Sequence, residues 1–149
     1  GLSAPVGSLL AGSRAFIDEA RRTRKLLGGG MRQAGVIAAA GVVALTEMVE
    51  RLAEDHANAR RLAEGLAELP QIAIEPETVE SNILFFGVRG PDGQTVDTAA
   101  SMQLAEATAQ AGLLLSGGDD GRIRAVTHYG VTAEDIDAAL ATVRRILDQ

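Results

Sequence analysis

The clearest periodicity in the chain lies over residues 47–69. Val49, Leu52, Ala53, Ala59, Leu62, Ala63, Leu66 and Leu69 fall on one helical stripe, and Glu50, Arg51, Glu54, Asp55, Arg60, Arg61, Glu64 and Glu68 on the opposite one. Pro70 ends this run because it removes an amide donor and clashes with the preceding turn. The stretch before it, residues 31–46, is apolar on nearly every face, which predicts a helix buried on all sides. Ala34, Gly35, Ala38, Ala39, Ala40 and Gly41 leave room there for close approach of another helix or subunit. These two stretches read as one long helix or as two. Further upstream, Ser13 is placed to cap a helix over residues 14–27, with Phe16, Ile17, Ala20 and Leu27 facing inward. Residues 1–13 read as a loop with one short strand at residues 8–12.

Past Pro70 the period changes from helical to alternating. Residues 72–74 and 82–88 read as strands, and Gly90-Pro91-Asp92-Gly93 is a turn signal. A helix is predicted over residues 96–111 with Ala100, Leu104, Ala107 and Ala111 inward. A short strand is predicted at 113–115, a glycine-rich loop at 117–121 and a strand at 122–127. Thr132 with Asp135 three residues later is a capping-box variant that opens a last helix, whose stripe is Ile136, Ala139, Leu140, Val143, Ile146 and Leu147. The order β-β-α-β-β-α predicts a small α+β layer with helices on one face of a largely antiparallel sheet. The change of period at Pro70 divides the chain into residues 1–69 and residues 70–149.

Composition narrows the chemistry. The 149 residues carry a formal net charge of -6, with 46% hydrophobic and 3% aromatic residues and no Trp. The charge argues against a general polyanion binder, and the lack of aromatics argues against a base-stacking platform, so no nucleic-acid partner is expected. The longest apolar run is too short to span a bilayer, so no membrane partner is expected either. There is no Cys, which excludes a disulfide framework and a thiolate site and favours the cytosol. Two histidines are too few for a zinc spacing, so no metal site is expected. The chain opens without Met at Gly1-Leu2-Ser3-Ala4-Pro5 and reads as the interior of a longer protein.

Against this acidic background, Arg21, Arg22, Arg24, Lys25 and Arg32 gather around Gly28-Gly29-Gly30. The joint reads either as a site for a phosphate or carboxylate at a helix start or as a helix C-cap with a solvated basic turn. Lys25 is the only lysine, hence a candidate Schiff-base nucleophile, although its helix-end position leaves it exposed. Arg122 and Arg124 share one face of a strand beside a glycine-rich loop, placed either to hold a carboxylate bidentately or to form a solvated face. His128 at that strand's end and His56 within the amphipathic helix read as structural. Asp119 and Asp120 read as solubilising loop residues.

Five phrases, in order, carry a resemblance. They are Gly1-Leu2-Ser3-Ala4-Pro5-Val6-Gly7-Ser8; the basic phrase from Arg24 to Gln33 with its Gly-Gly-Gly-Met-Arg-Gln; Ala53-Glu54-Asp55-His56; Ser81-Asn82-Ile83-Leu84-Phe85-Phe86; and Ile123-Arg124-Ala125-Val126-Thr127-His128. Together they resemble the low-specificity L-type threonine aldolases, fold-type-I pyridoxal-phosphate enzymes with an aminotransferase-like α/β fold. The resemblance implies that residues 1–69 end the large cofactor-binding domain and connecting helices, and that residues 70–149 form the small carboxy-terminal α+β domain. It implies cleavage of L-threonine or L-allo-threonine to glycine and an aldehyde, with pyridoxal 5'-phosphate as cofactor. The cofactor lysine is implied immediately before Gly1, so the segment alone is expected to be inactive and to hold no catalytic residue. Arg124, with Arg122 beside it, is implied to bind the substrate carboxylate. Lys25 and Arg32 are implied to reach the cofactor phosphate from a neighbouring subunit of a homodimer or homotetramer. Another fold-type-I lyase acting on a β-hydroxy amino acid, or a non-catalytic α+β assembly module, are the alternatives.

Overall fold

The computed structural model describes residues 1–5, 8–117 and 120–148. The chain forms two compact units, Leu2–Glu50 and Arg51–Gln149, the latter also taking in Gly1.

The first unit holds two helices, α1 (Arg14–Leu26) and α2 (Gly35–Glu47). Ser13 caps α1 as expected, its hydroxyl accepting from the Phe16 amide at 3.3 Å. The predicted strand at residues 8–12 is irregular chain, because a strand exists only through a pairing partner and the described residues of this unit supply none. Neither helix is covered as its composition predicts. Residues of α1 are at best half-buried, and Phe16 and Leu27 lie in the open. In α2 only Ala44 is buried, while Val36 is 82% exposed. The expected all-round burial of α2 is therefore not met within one copy of the chain.

The second unit opens with α3 (Leu52–Ala67) and continues through β1 (Ile72–Ala73), a 3-10 turn (Pro76–Thr78), β2 (Ile83–Arg89) and β3 (Val96–Asp97). It closes with α4 (Thr98–Gln110), β4 (Ser116–Gly117), β5 (Ile123–Val126) and α5 (Ala133–Leu147). A break at residues 48–51 separates α2 from α3, so the long-helix reading fails. The compact units divide at this break, and the stripe of α3 is sealed against the later elements. Ala59, Leu62, Ala63, Leu66 and Leu69 join Ile72, Leu84, Phe86, Leu104, Ile123, Ala125, Ile136 and Val143 in one core. Val49 and Ala53, expected in that stripe, are exposed.

The sheet is antiparallel throughout, in the order β1-β2-β5-β4, with β3 also pairing to β2. Leu113 to Leu115, read as a strand, runs irregularly, and the paired residues are Ser116 and Gly117. The buried face of α4 is Ser101, Leu104 and Thr108, one position round from the Ala100, Leu104, Ala107, Ala111 stripe. Ser101 is inward because its hydroxyl accepts the Val88 amide at 2.9 Å, closing part of the β2 edge. One sheet face packs on the helices through Leu84, Phe86, Ile123 and Ala125; the other presents Phe85, Arg122, Arg124 and Val126.

The capping box at α5 is complete. Thr132 Oγ1 accepts from the Asp135 amide at 3.2 Å, and Asp135 accepts from the Thr132 amide at 2.9 Å. The Thr132 backbone amide and then its hydroxyl hold the Asp135 carboxyl below the usual carboxylate range. A depressed folded pKa contributes stability that is present above the unfolded value of about 4 and lost as pH falls through the folded one. Thr132→Ala is therefore expected to cost about 1 kcal/mol at neutral pH. The difference from the parent should narrow in acid, which urea unfolding above and below about pH 4 would check.

Candidate functional site

The basic joint in the first unit is a full C-terminal cap. Gly28 takes φ +79, a region that favours glycine, and donates to the Lys25 carbonyl at 3.1 Å, while Gly29 donates to the Arg24 carbonyl at 2.8 Å. At Gly29 an added Cβ would meet the Arg24 carbonyl oxygen at 2.9 Å, so this glycine is fixed by space. The C-cap reading is thus correct for the glycines, but it leaves the cations open. Arg21 and Arg22 pair with Asp18 and Glu19 one turn back, at 3.4 and 3.8 Å. Lys25 and Arg32 have no ion pair among the described residues. Lys25 Nζ lies 3.7 Å from where a Gly30 Cβ would stand, folded over bare backbone. Arg24 is likewise without an ion pair among the described residues, and three uncommitted cations around a side-chain-free turn fit a phosphate. Arg32 is not at a helix start as expected: it occupies the turn before Gly35, ahead of Gln33 at φ +53.

The second unit carries the arginine pair. Arg124 is the second residue of β5, opposite Phe85 of β2 on one side and Ser116 of β4 on the other. It is exposed and has no ion pair or side-chain hydrogen bond among the described residues. Arg122 shares its face but is committed. Its Nε donates to Asp120 Oδ2 at 2.7 Å, its Nη2 lies 2.6 Å from the same oxygen, and its guanidinium sits over the Phe85 ring at 5.0 Å. The Arg122 guanidinium holds the Asp120 carboxyl below the usual carboxylate range. Asp120 is thus a partner of Arg122 rather than a solubilising residue; Asp119 lies outside the described residues. The adjacent pair therefore divides into one neutralised arginine and one available for a planar anion.

Below this strand lies a network that charge patterning hid. Asp55, assigned to the polar stripe of α3, is fully buried. Arg51 grips it with both terminal nitrogens, and the Arg51 guanidinium also lies 5.0 Å from the Tyr129 ring centroid. Thr127 Oγ1 donates to the Asp55 carbonyl at 2.6 Å, and Asn82 Nδ2 donates to the Thr127 carbonyl at 2.6 Å. These bonds tie the start of α3 to the end of β5 and the start of β2. The signal in the sequence was Arg51 four residues before Asp55, an i,i+4 pair that joins the helix cap to its first turn. His128 is exposed, its Nδ1 donating to the Tyr129 carbonyl at 2.9 Å, and His56 is exposed on α3.

Among the described residues no group of three or more His, Cys, Asp or Glu is arranged to hold a metal ion, and no helix is long and apolar enough to cross a membrane. The cavity among Leu62, Leu66, Phe86, Leu113, Leu115, Ala139 and Val143 is lined by apolar side chains and offers no chemistry.

The beta-eliminating lyase family profile matches residues 1–88. A protein named low-specificity L-threonine aldolase 1 from Arabidopsis thaliana is 39% identical over 147 residues, covering 99% of this chain and 40% of its own. The low specificity L-threonine aldolase of Escherichia coli K12 is 41% identical, again over 99% and 40%. The chain thus spans about two fifths of the length of these relatives. Among solved structures, a C-DES lysine-to-alanine mutant with glycine covalently linked to its PLP cofactor matches with TM-score 0.55 and 22% identity, over 74% of this chain and 28% of that one. MppP soaked with the product 2-ketoarginine matches with TM-score 0.53 and 10% identity, over 76% and 32%. The α/β fold is therefore that of the corresponding parts of these fold-type-I enzymes.

Proposed function

The chain belongs to the beta-eliminating lyase family, and from that premise we propose that it is the carboxy-terminal part of a pyridoxal-phosphate-dependent aldolase. Its substrates are L-threonine and L-allo-threonine, and its products glycine and an aldehyde. Identities of 38–41% along nearly the whole chain to proteins named threonine aldolases support this reading. The observation that carries it is Arg124: an exposed guanidinium on a strand, unpaired among the described residues and beside a neutralised neighbour. In the whole enzyme residues 1–69 close the large domain and residues 70–149 form the small one, with α3 seated on the small domain's core.

Arg124 grips the substrate carboxylate through two parallel N–H donors, which fixes the carbon that bears the amine and orients the bond to be broken. Lys25 and Arg32 hold the cofactor phosphate, serving the site of a neighbouring subunit. When bound, the cofactor supplies an electron sink for the pair released as the Cα–Cβ bond breaks. No residue of this segment performs the covalent step, so residues 1–149 alone are inactive. The open apolar faces of α2, with Val36, Val42, Val43 and Leu45 exposed, are covered by another copy in a homodimer or homotetramer. The cysteine-free sequence supports a cytoplasmic location.

Glycine and acetaldehyde release from L-threonine by the complete purified protein tests the assignment; turnover of phenylserine but not threonine would redirect it to another β-hydroxy amino acid. Arg32→Ala is expected to weaken cofactor retention about tenfold, the value of one charge-assisted contact. Cofactor absorbance after dialysis reads this directly, and unchanged retention would remove Arg32 from the phosphate site.

A further inference from the structure

The face that carries Arg124 also carries a second guanidinium that has been taken out of use. Residues two apart on a strand lie about 6.6 Å apart on the same side, so Arg122 and Arg124 stand as neighbouring anion sites. Three contacts hold Asp120 on Arg122: Nε to Oδ2 at 2.7 Å, Nη2 to Oδ2 at 2.6 Å, and the Arg122 backbone amide to Oδ1 at 3.1 Å. The turn that sets this geometry is itself fixed. Gly121 has φ +77 and is buried so closely against Thr98 that an added Cβ would collide with it. The Phe85 ring packs under Arg122 from the facing strand, leaving the guanidinium between a carboxylate and an apolar plate.

Among the described residues Arg124 is uncompensated and Arg122 is cancelled, so the two arginines together offer one net positive charge to a substrate. That suits an amino acid with one carboxylate. A β-hydroxy amino acid with a second carboxylate needs a second cation, finds it occupied, and meets the charge of Asp120. We propose that Asp120 is a specificity-determining residue that excludes dicarboxylic β-hydroxy amino acids, of which 3-hydroxyaspartate is the four-carbon member, by holding Arg122 out of use. This rests on Arg124 being the carboxylate anchor. Discrimination here comes from a cation withheld and an anion presented, which penalise the wrong substrate without touching the right one.

The test compares kcat/KM for L-threonine and L-threo-3-hydroxyaspartate in the full-length enzyme, with glycine release as the readout. In Asp120→Asn the ratio of 3-hydroxyaspartate to threonine is expected to rise about tenfold or more, the worth of one freed charge-assisted pair. In the double variant Asp120→Asn, Arg122→Gln the gain should vanish, which shows that Arg122 carries it. An unchanged ratio in Asp120→Asn, or a gain that survives loss of Arg122, overturns the proposal. Threonine cleavage by the parent with a raised KM in Arg124→Ala leaves the anchor reading standing in either case. A parent that does not cleave threonine at all removes the anchor reading and this proposal together.

Discussion

Replacing Arg124 with Ala is expected to raise KM for threonine by about one to two orders of magnitude in the complete enzyme. A charge-assisted bidentate pair contributes roughly 1.5–3 kcal/mol, and 1.4 kcal/mol is about tenfold. Lysine should rescue poorly, since a point charge lacks the planar fork that matches a carboxylate. Arg122→Ala should do less, because Asp120 already satisfies its guanidinium. Steady-state kinetics on Arg124→Ala, Arg124→Lys and Arg122→Ala decide the matter. A crippled Arg122→Ala beside a near-normal Arg124→Ala would move the carboxylate to the other arginine. Two near-normal variants would remove the role from this strand.

The second large effect is expected at the base of the same strand. Asp55 is fully buried, and Arg51 supplies both donors to its carboxylate. Leaving that carboxylate buried without a partner costs about 3–5 kcal/mol. Arg51→Met should therefore be strongly destabilising, and more so than Asp55→Asn, which keeps the shape and frees an arginine that Glu54 stands ready to receive at 3.8 Å. Replacing both, as Arg51→Met with Asp55→Leu, should recover much of the loss, because the apolar pair leaves no charge behind. A double-mutant cycle in urea provides the measurement. A double variant no better than Arg51→Met alone would show that the pair does not act as a unit.

The parts of this fold legible in the sequence are those whose signals are local and redundant. The last helix had a cap, a box partner and a stripe, and all three hold at Thr132, Asp135 and Ile136 through Leu147. Strand β5 was readable because Ile123 and Ala125 alternate with Arg122 and Arg124. Two-residue strands carry no such pattern. Ser116 and Gly117 have nothing apolar to mark them, so the neighbouring Leu113-Leu114-Leu115 drew the assignment instead. The break between α2 and α3 falls on Met48 to Arg51, with no Gly or Pro to announce it. Asp55 was misplaced because its counter-charge among the described residues, Arg51, stands four residues earlier at the helix cap, and charge patterning reads such a pair as a solvated face. The two arginines of the candidate site were visible as a pair, but their inequality was not. It depends on Asp120 folding back across a turn, which a residue two places away does not reveal.

The alternation along β5 has a consequence for how the molecule tolerates change. Odd-numbered positions 123, 125 and 127 belong to the interior, and even-numbered positions 122, 124 and 126 to the exposed face. The strand is thus divided by parity into residues whose substitution is felt as folding and residues whose substitution leaves the core intact. The same division forbids a shift of one: sliding β5 by a single residue would bury two guanidiniums and evict Ile123 and Ala125 together. Insertions and deletions of one residue ahead of this strand must therefore be absorbed in loops before Asp120, because the turn through Gly121 is fixed against Thr98. Homologous proteins should vary in length in those loops while keeping the parity of everything that follows.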